Sequence, residues 1–389
     1  MKKAIIVLAV LALGIWAAVN FADRLDLKPL SEFTVFTDEE GNDVNGAVAD
    51  GSADSACDSF CYAFSCLNSE EQKVYNEIYQ SLIHCEKETN VSTLDVELID
   101  KAYFCVMTDH PELFYVDGYK YTEYSVGSLR NEMTFSGTYL YDKKEIAGRR
   151  KQIDEAVREV IGGAPVSNDD YVVVKYVFDW IVSSTVYDLN AVDSQNICSV
   201  FLNHRSVCRG YAKAFQYLLN QLDIDTSIVS GTVADGERHS WNLVRMNGQW
   251  YYMDVTWGDA CYWNCQEKEL QEYNINYDYF GVTTEQLLQT HTIDMPIEMP
   301  DCHSLNDHYY VRENAYFYAY DEKKIEALFQ KAYQNGTPSV TIKCSDEKVY
   351  REVWSQLLGQ QKIFSFLQGN GKSVSYSNDD KQRSLTFWL

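Results

Sequence analysis

The sequence predicts an α+β protein, on three observations. Amphipathic helical stripes opened by capping signals recur between residues 69 and 222. An Asn247-Gly248 pair then separates two strand-like runs, HSWNLVRM and QWYYMDVTW, which is the pattern of a tight antiparallel hairpin. After Pro300, helical and strand-like segments alternate again and read as a further small unit. At 389 residues, with 46% apolar and 23% charged residues, the chain has the length of two or three domains and ordinary globular composition.

Met1-Lys2-Lys3 precedes an apolar run from Ala4 to Val19, the layout of a secretory signal whose core falls just short of a spanning helix. Residues 1–22 are therefore expected to be a signal peptide or an N-terminal membrane anchor, with the body exported and lying outside the membrane. Residues 23–68 carry the acidic stretch Asp38–Asp58 without sustained periodicity and read as a solvated spacer. Ser69-Glu70-Glu71-Gln72 reads as a capping box opening a helix with Val74, Ile78, Leu82 and Cys85 on one face. A second helix after Thr93 aligns Leu94, Leu98, Ala102 and Cys105, and Tyr-rich alternation predicts strands over Phe114–Tyr124 and Thr134–Tyr141. Residues 69–141 thus form an N-terminal α/β unit.

The next unit spans residues 142–300. It opens on a helix from Asp142 to Ile161, with Ile146, Ile153, Val157 and Val160 inward and Gly162-Gly163 as its stop. Ser167-Asn168-Asp169-Asp170 then starts a helix with Tyr171, Val174, Phe178 and Ile181 on one stripe. In the C-terminal α/β unit, 301–389, the expected order is strand (Tyr309–Tyr320), helix (Lys323–Tyr333), strand (Ser339–Cys344), helix (Glu347–Leu358) and a final strand pair.

Lys and Arg total 33 against 57 Asp and Glu, a net charge of −24, so a nucleic-acid backbone would be repelled and nucleic acid is not an expected partner. No Gly-x-Ser-x-Gly or phosphate-binding glycine loop is present. Cys261-x-x-x-Cys265 with Cys302-His303 lacks the spacing of a zinc site, and no metal or other cofactor is expected. The eleven cysteines are an odd number, so at least one is left out of any disulfide framework.

Chemistry concentrates between residues 198 and 259. Cys208 opens a helix whose Tyr211, Phe215, Leu218, Leu219 and Leu222 form its apolar face, and unpaired N–H groups at a helix start favour a thiolate. In the hairpin, Met246 opposite Gln249 puts Trp241 opposite Asp254 and His239 opposite Thr256. His239 and Asp254 then share a face as diagonal neighbours about 7 to 8 Å apart, within reach of an Asp–imidazole hydrogen bond. A carboxylate on one imidazole nitrogen leaves the other to take a thiol proton.

VCRGYAKAFQYLL, HSWNLV and WYYMDVTWGD together resemble the transglutaminase-like superfamily. The resemblance implies a papain-like core, in which the Cys-bearing helix packs on an antiparallel sheet bearing His and Asp. It makes Cys208 the nucleophile, His239 the general base and acid, and Asp254 the residue that orients the imidazole. DHPELFYV, QNICSVFLNHRSVC and YFGVTTEQLLQTH look like flanking segments of exported bacterial members. The implied activity is attack on an amide carbonyl through a thioester, as peptidase, amidase or acyltransferase, on a protein or envelope-peptide substrate. The Cys208 N–H is the expected oxyanion donor, with Gln195 either a second donor or an ordinary loop residue. Trp241 and Trp257 read as walls of an acyl groove or as core packing. With Cys208 kept free, ten cysteines remain, an even number able to pair in an exported compartment. The competing reading is a surface binding module that keeps the fold, its 29 tyrosines furnishing contacts.

Overall fold

A computed structural model describes residues 60–126, 129–259, 275–369 and 373–389. The leader, the acidic stretch Asp38–Asp58, Cys57, Cys261 and Cys265 lie outside the described residues. Among those described, no helix is long and apolar enough to cross a membrane.

The N-terminal unit packs helix α1 (Ser69–His84) and helix α2 (Val96–Asp109) against a ribbon of β1 (Val116–Val126) and β2 (Leu129–Tyr139). Three details differ from the sequence expectation. The capping box begins one residue earlier: Asn68 Oδ1 accepts the N–H groups of Glu70 and Glu71, while the Glu71 carboxylate accepts the Asn68 N–H. Asn68 thereby plays, one residue earlier, the part that Ser69 was expected to play. In α2 the buried stripe is Ile99, Ala102, Cys105 and Val106, and Leu94 lies exposed before the helix, because Asp95 caps it. Residues 60–68 are not spacer. They form a turn of helix, Tyr62–Ser65, with Ala63 and Leu67 buried.

Helix α3 (Lys143–Gly162) buries Ile146, Ile153, Val157 and Val160, and helix α4 (Asp170–Ser184) buries Tyr171, Val174, Phe178 and Ile181. Helix α5 (Cys208–Gln221) follows, then a five-stranded antiparallel sheet of β3 (Thr226–Val233), β4 (Arg238–Met246), β5 (Gln249–Met253), β6 (Phe280–Val282) and β7 (His291–Ile293) in the order β7-β3-β4-β5-β6. The β4–β5 register is the one that Asn247-Gly248 dictates: Met246 pairs with Gln249 and Asn242 with Met253. Both turn residues have positive φ, 48° and 81°, as a two-residue hairpin requires. A single apolar interior runs from Ala63 through Phe114, Ile153, Phe178 and Phe215 to Ile297, so the N-terminal unit and the central unit share it.

The C-terminal unit has its own interior around Phe329, Ile342 and Phe387. Helix α6 (Glu322–Asn335), strand β8 (Ser339–Cys344), helix α7 (Glu347–Trp354), β9 (Ser375–Asp379) and β10 (Ser384–Trp388) follow the expected order. The expected strand Tyr309–Tyr320 is instead a helical turn, Tyr309–Arg312, and a two-residue strand, Tyr316–Phe317. His308 Nδ1 caps the turn by accepting the Tyr310 N–H, and Asn314 at φ 59° breaks any extended run.

Cys66, Cys85, Cys105, Cys198, Cys208, Cys302 and Cys344 are free thiols. The expectation that the ten cysteines besides Cys208 could pair is therefore corrected for six of them. Cys105, Cys198, Cys302 and Cys344 are buried among apolar neighbours or backbone, where a thiol packs as a small hydrophobe.

Candidate active site

Cys208 is the first residue of α5, with Val207 as its extended N-cap. Gly210 makes this start possible: a Cβ there would lie 2.0 Å from Ser206 Oγ, 2.6 Å from Ser199 Oγ and 2.7 Å from the Ser194 carbonyl. The first turn of the helix therefore sits directly against the Ser194–Ser199 loop, where Gln195 lies half-buried. Asn242 Nδ2 donates to the Ala212 carbonyl at 2.9 Å, fastening β4 to α5. Tyr211 donates to Asp259 Oδ2 at 2.6 Å, fastening α5 to the chain that follows Asp254. Gln216 Nε2 donates to the Thr108 carbonyl at 3.0 Å and ties α5 to α2. The polar residues of the three motif segments are thus the fasteners that hold helix and sheet together.

His239 is the second residue of β4 and pairs with Gly231 on β3. Its Nε2 lies 2.7 Å from Asp254 Oδ2, and the Cys208 side chain is within hydrogen-bonding contact of the same ring. With Nε2 on the carboxylate, Nδ1 is the nitrogen left for the thiol. Asp254 lies one residue beyond β5, held by its own N–H on the Tyr279 carbonyl. Its Oδ1 accepts the N–H groups of Thr256 and Trp257 at 3.0 and 3.1 Å. All three side chains are covered: Cys208 is 1% exposed, His239 4% and Asp254 0%.

Burial alone would lower the His239 pKa, but the charge and hydrogen bond of Asp254, with the hydrogen bond to Cys208, raise it to about 10. For Asp254 burial works upward and is outweighed by the His239 charge and hydrogen bond, which hold the carboxyl below its usual range. An ion pair between imidazolium and carboxylate is the form this corner favours: the neutral imidazole takes the thiol proton to reach it, and the imidazolium can later return that proton.

Trp241 is completely buried and Trp257 nearly so, their rings 6.1 and 5.7 Å from His239. They pack the histidine in place rather than wall an open groove.

One residue of this corner escapes sequence reading. His291, at the start of β7, brings its Nε2 to 3.2 Å from the same Asp254 Oδ2. His239, Asp254 and His291 bring their ligand atoms within 4.8 Å of one another, the spacing of a metal site. The arrangement fits hydrogen bonding better: both Nε2 atoms point at one carboxylate oxygen, so each must carry a proton rather than a lone pair for a cation. The only signal in the sequence was the terminal His of YFGVTTEQLLQTH.

Residues 157–255, which span Cys208, His239 and Asp254, match the profile of the family described as "Transglutaminase-like superfamily". That stretch, and with it the three candidate residues, is transglutaminase-like. No curated protein matches it. Solved structures similar to it include a TGase, at 12% identity and TM-score 0.26 over 36% of this chain and 50% of that one. Another is a protein of Cytophaga hutchinsonii proposed to be a cysteine protease, at 17% identity and TM-score 0.24 over 35% and 61%. A third is the periplasmic domain of TgpA from Pseudomonas aeruginosa, at 16% identity and TM-score 0.22 over 34% and 57%. The aligned region spans about half to three fifths of those chains. The α+β architecture of this transglutaminase-like chain, with α5 on an antiparallel sheet, is the one expected from its sequence.

Proposed function

We propose that the protein is a cysteine-dependent amide-processing enzyme of the transglutaminase-like type, exported by its N-terminal segment. The observation that carries the reading is the 2.7 Å His239–Asp254 pair with Cys208 against the same imidazole. In this reading His239 takes the Cys208 proton through Nδ1 while Asp254 stabilises the resulting imidazolium. The thiolate sulfur bonds to an amide carbon, and the carbonyl electrons move onto oxygen, to which the Cys208 N–H donates a hydrogen bond. As the C–N bond breaks, His239 returns the proton to the leaving nitrogen. Water or an amine then attacks the thioester, again with His239 as base, and releases Cys208. Water is the default acceptor, so hydrolysis is favoured over cross-linking. The substrate class is a protein or peptide amide, including peptides of the cell envelope.

The test is to incubate the protein with envelope peptides and glutamine-containing peptides, quench in acid, and search Cys208 for an acyl adduct by mass spectrometry. An adduct on Cys208 that is absent in Cys208→Ser is the expected result. Turnover-free binding of the same peptides, with no adduct at any time, contradicts the reading and leaves a binding module on an enzyme-like fold.

A further inference from the structure

The Asp254 carboxylate is clamped from the far side as well as from His239. His291 Nε2 lies 3.2 Å from Asp254 Oδ2, and its Nδ1 lies 2.9 Å from Thr290 Oγ1. Thr290 Oγ1 is 2.7 Å from the Tyr279 phenol oxygen, which in turn accepts the Gln382 Nε2 amide N–H at 2.7 Å. Gln382 Oε1 accepts from Lys343 Nζ at 2.9 Å, and that ammonium also meets Asp278 Oδ1 at 3.1 Å. Ser384 Oγ donates to the other oxygen of Asp278 at 2.9 Å. Every side chain in this chain of contacts is buried. It crosses from the central unit into β8 and the turn before β10, so the C-terminal unit reaches the candidate active site through hydrogen bonds.

The directions of these bonds are mutually consistent. An ionised carboxylate offers no proton, so His291 must present Nε2–H to Asp254. Burial lowers the pKa of His291 against the opposing pull of Asp254, which leaves one proton on the ring; with that proton on Nε2, Nδ1 can only accept, and the Thr290 hydroxyl at 2.9 Å is nearer to it than to its other acceptor, the Leu287 carbonyl at 3.4 Å. Thr290, having given its proton, accepts from Tyr279; Tyr279 accepts from Gln382, whose amide is turned the right way by Lys343. Each donor points towards Asp254. The ring of His291 is boxed by Trp241, Trp257 and Tyr279 at 4.8, 4.6 and 5.1 Å, and its titratable neighbours are Asp254, His239 and Tyr279.

We propose that His291 is a positioning residue that holds the Asp254 carboxylate square to His239, and that the C-terminal unit fixes its tautomer through Gln382, Tyr279 and Thr290. The inference rests on the reading of Cys208, His239 and Asp254 given above. It assigns the C-terminal unit a part in the chemistry of the central one, since His291 adds a second contact on Oδ2 to the two backbone N–H groups that hold Oδ1.

The test uses the whole protein with labelled histidine, reading the His239 titration midpoint by NMR and Cys208 alkylation by iodoacetamide across pH. In His291→Leu the His239 midpoint is expected to fall by about one unit, because Oδ2 loses the contact that holds it square to His239 and only the Oδ1 side of the carboxylate stays fixed. Alkylation at pH 6 is expected to slow about tenfold, the order of loss when an orienting partner is removed. His291→Gln, which returns an amide N–H at similar reach, should recover most of both. Tyr279→Phe, which deletes one oxygen, should move both the same way by a smaller step. A folded His291→Leu protein with an unmoved His239 midpoint overturns the inference, and an unmoved midpoint in Tyr279→Phe alone removes the C-terminal unit from it. If wild-type alkylation is indifferent to His239→Ala, the enzyme reading fails instead, and the His239 midpoint still decides the role of His291.

Discussion

Two buried carboxylates of this molecule look alike in their contacts and differ in their consequences. Asp109, at the end of α2, accepts the Ala63 and Phe64 N–H groups at 2.9 and 2.8 Å and the Tyr75 phenol at 3.1 Å. Asp254 also accepts two backbone N–H groups, together with two imidazoles. Burial pushes Asp109 up to about 6 despite its three neutral donors and the weaker opposing charge of His110, whereas Asp254 is held below the usual range by the charge and hydrogen bond of His239. Neutral donors satisfy a carboxylate, and a titratable cation makes it half of a proton-handling pair. Asp109 docks the 60–68 segment onto the body, and Asp254 tunes a base.

The largest effect that would break the comparison is on reactivity. Asp254→Asn keeps the shape but loses the charge, and is expected to slow Cys208 alkylation at pH 6 on the order of 100-fold or more. Asp109→Asn is expected to leave that rate within about twofold while weakening the hold on residues 60–68, by about 1 to 3 kcal/mol for donors left unsatisfied. Limited proteolysis near Tyr62 reports the second effect. Equal loss of alkylation in both variants would erase the distinction.

A steric prediction is of middle size. Gly210→Ala places a Cβ against Ser206, Ser199 and the Ser194 carbonyl, at a cost of roughly 1 to 3 kcal/mol measurable by denaturant unfolding. The shape of the pH profile of alkylation is expected to survive in the folded fraction, because none of the groups that tune His239 changes.

The smallest effects are in the pH dependence of stability, where the two carboxylates separate by window. Asp109 has a raised folded pKa, so its contribution is full below the unfolded value near 3.9 and is lost as pH rises through about 6. His239 is raised as well, so its contribution is full below about 6.5 and is lost as pH rises through about 10. Asp254 is depressed and contributes above about 3.9, losing this only as pH falls through its low folded value. Melting curves should therefore show Asp109→Asn removing a decline between about pH 4 and 6, and Asp254→Asn removing one between about 6.5 and 10. A decline that persists in its own window contradicts the corresponding assignment.

How much of this was legible in the sequence follows from distance along the chain. The hairpin register was readable because Asn247-Gly248 admits one tight turn, and it carried His239 and Asp254 with it. Cys208 was readable because its helix start and apolar stripe are local. His291 and Gln382 were not: they reach the corner from 37 and 128 residues beyond Asp254, across a sheet edge and between units, and no periodicity encodes such a partner. The misplaced strand at Tyr309–Tyr320 has the opposite cause. Its alternating tyrosines fit a strand, but His308 and Asn314 impose a turn that β-propensity does not register.

The central claim is that His239 and Asp254 act together on the Cys208 proton, and the pH dependence of Cys208 alkylation tests it most directly. The expected result is alkylation that persists below pH 7 in the wild type and falls at least about 100-fold there in His239→Ala. An ordinary thiol titration near 8.5 in both proteins would contradict it.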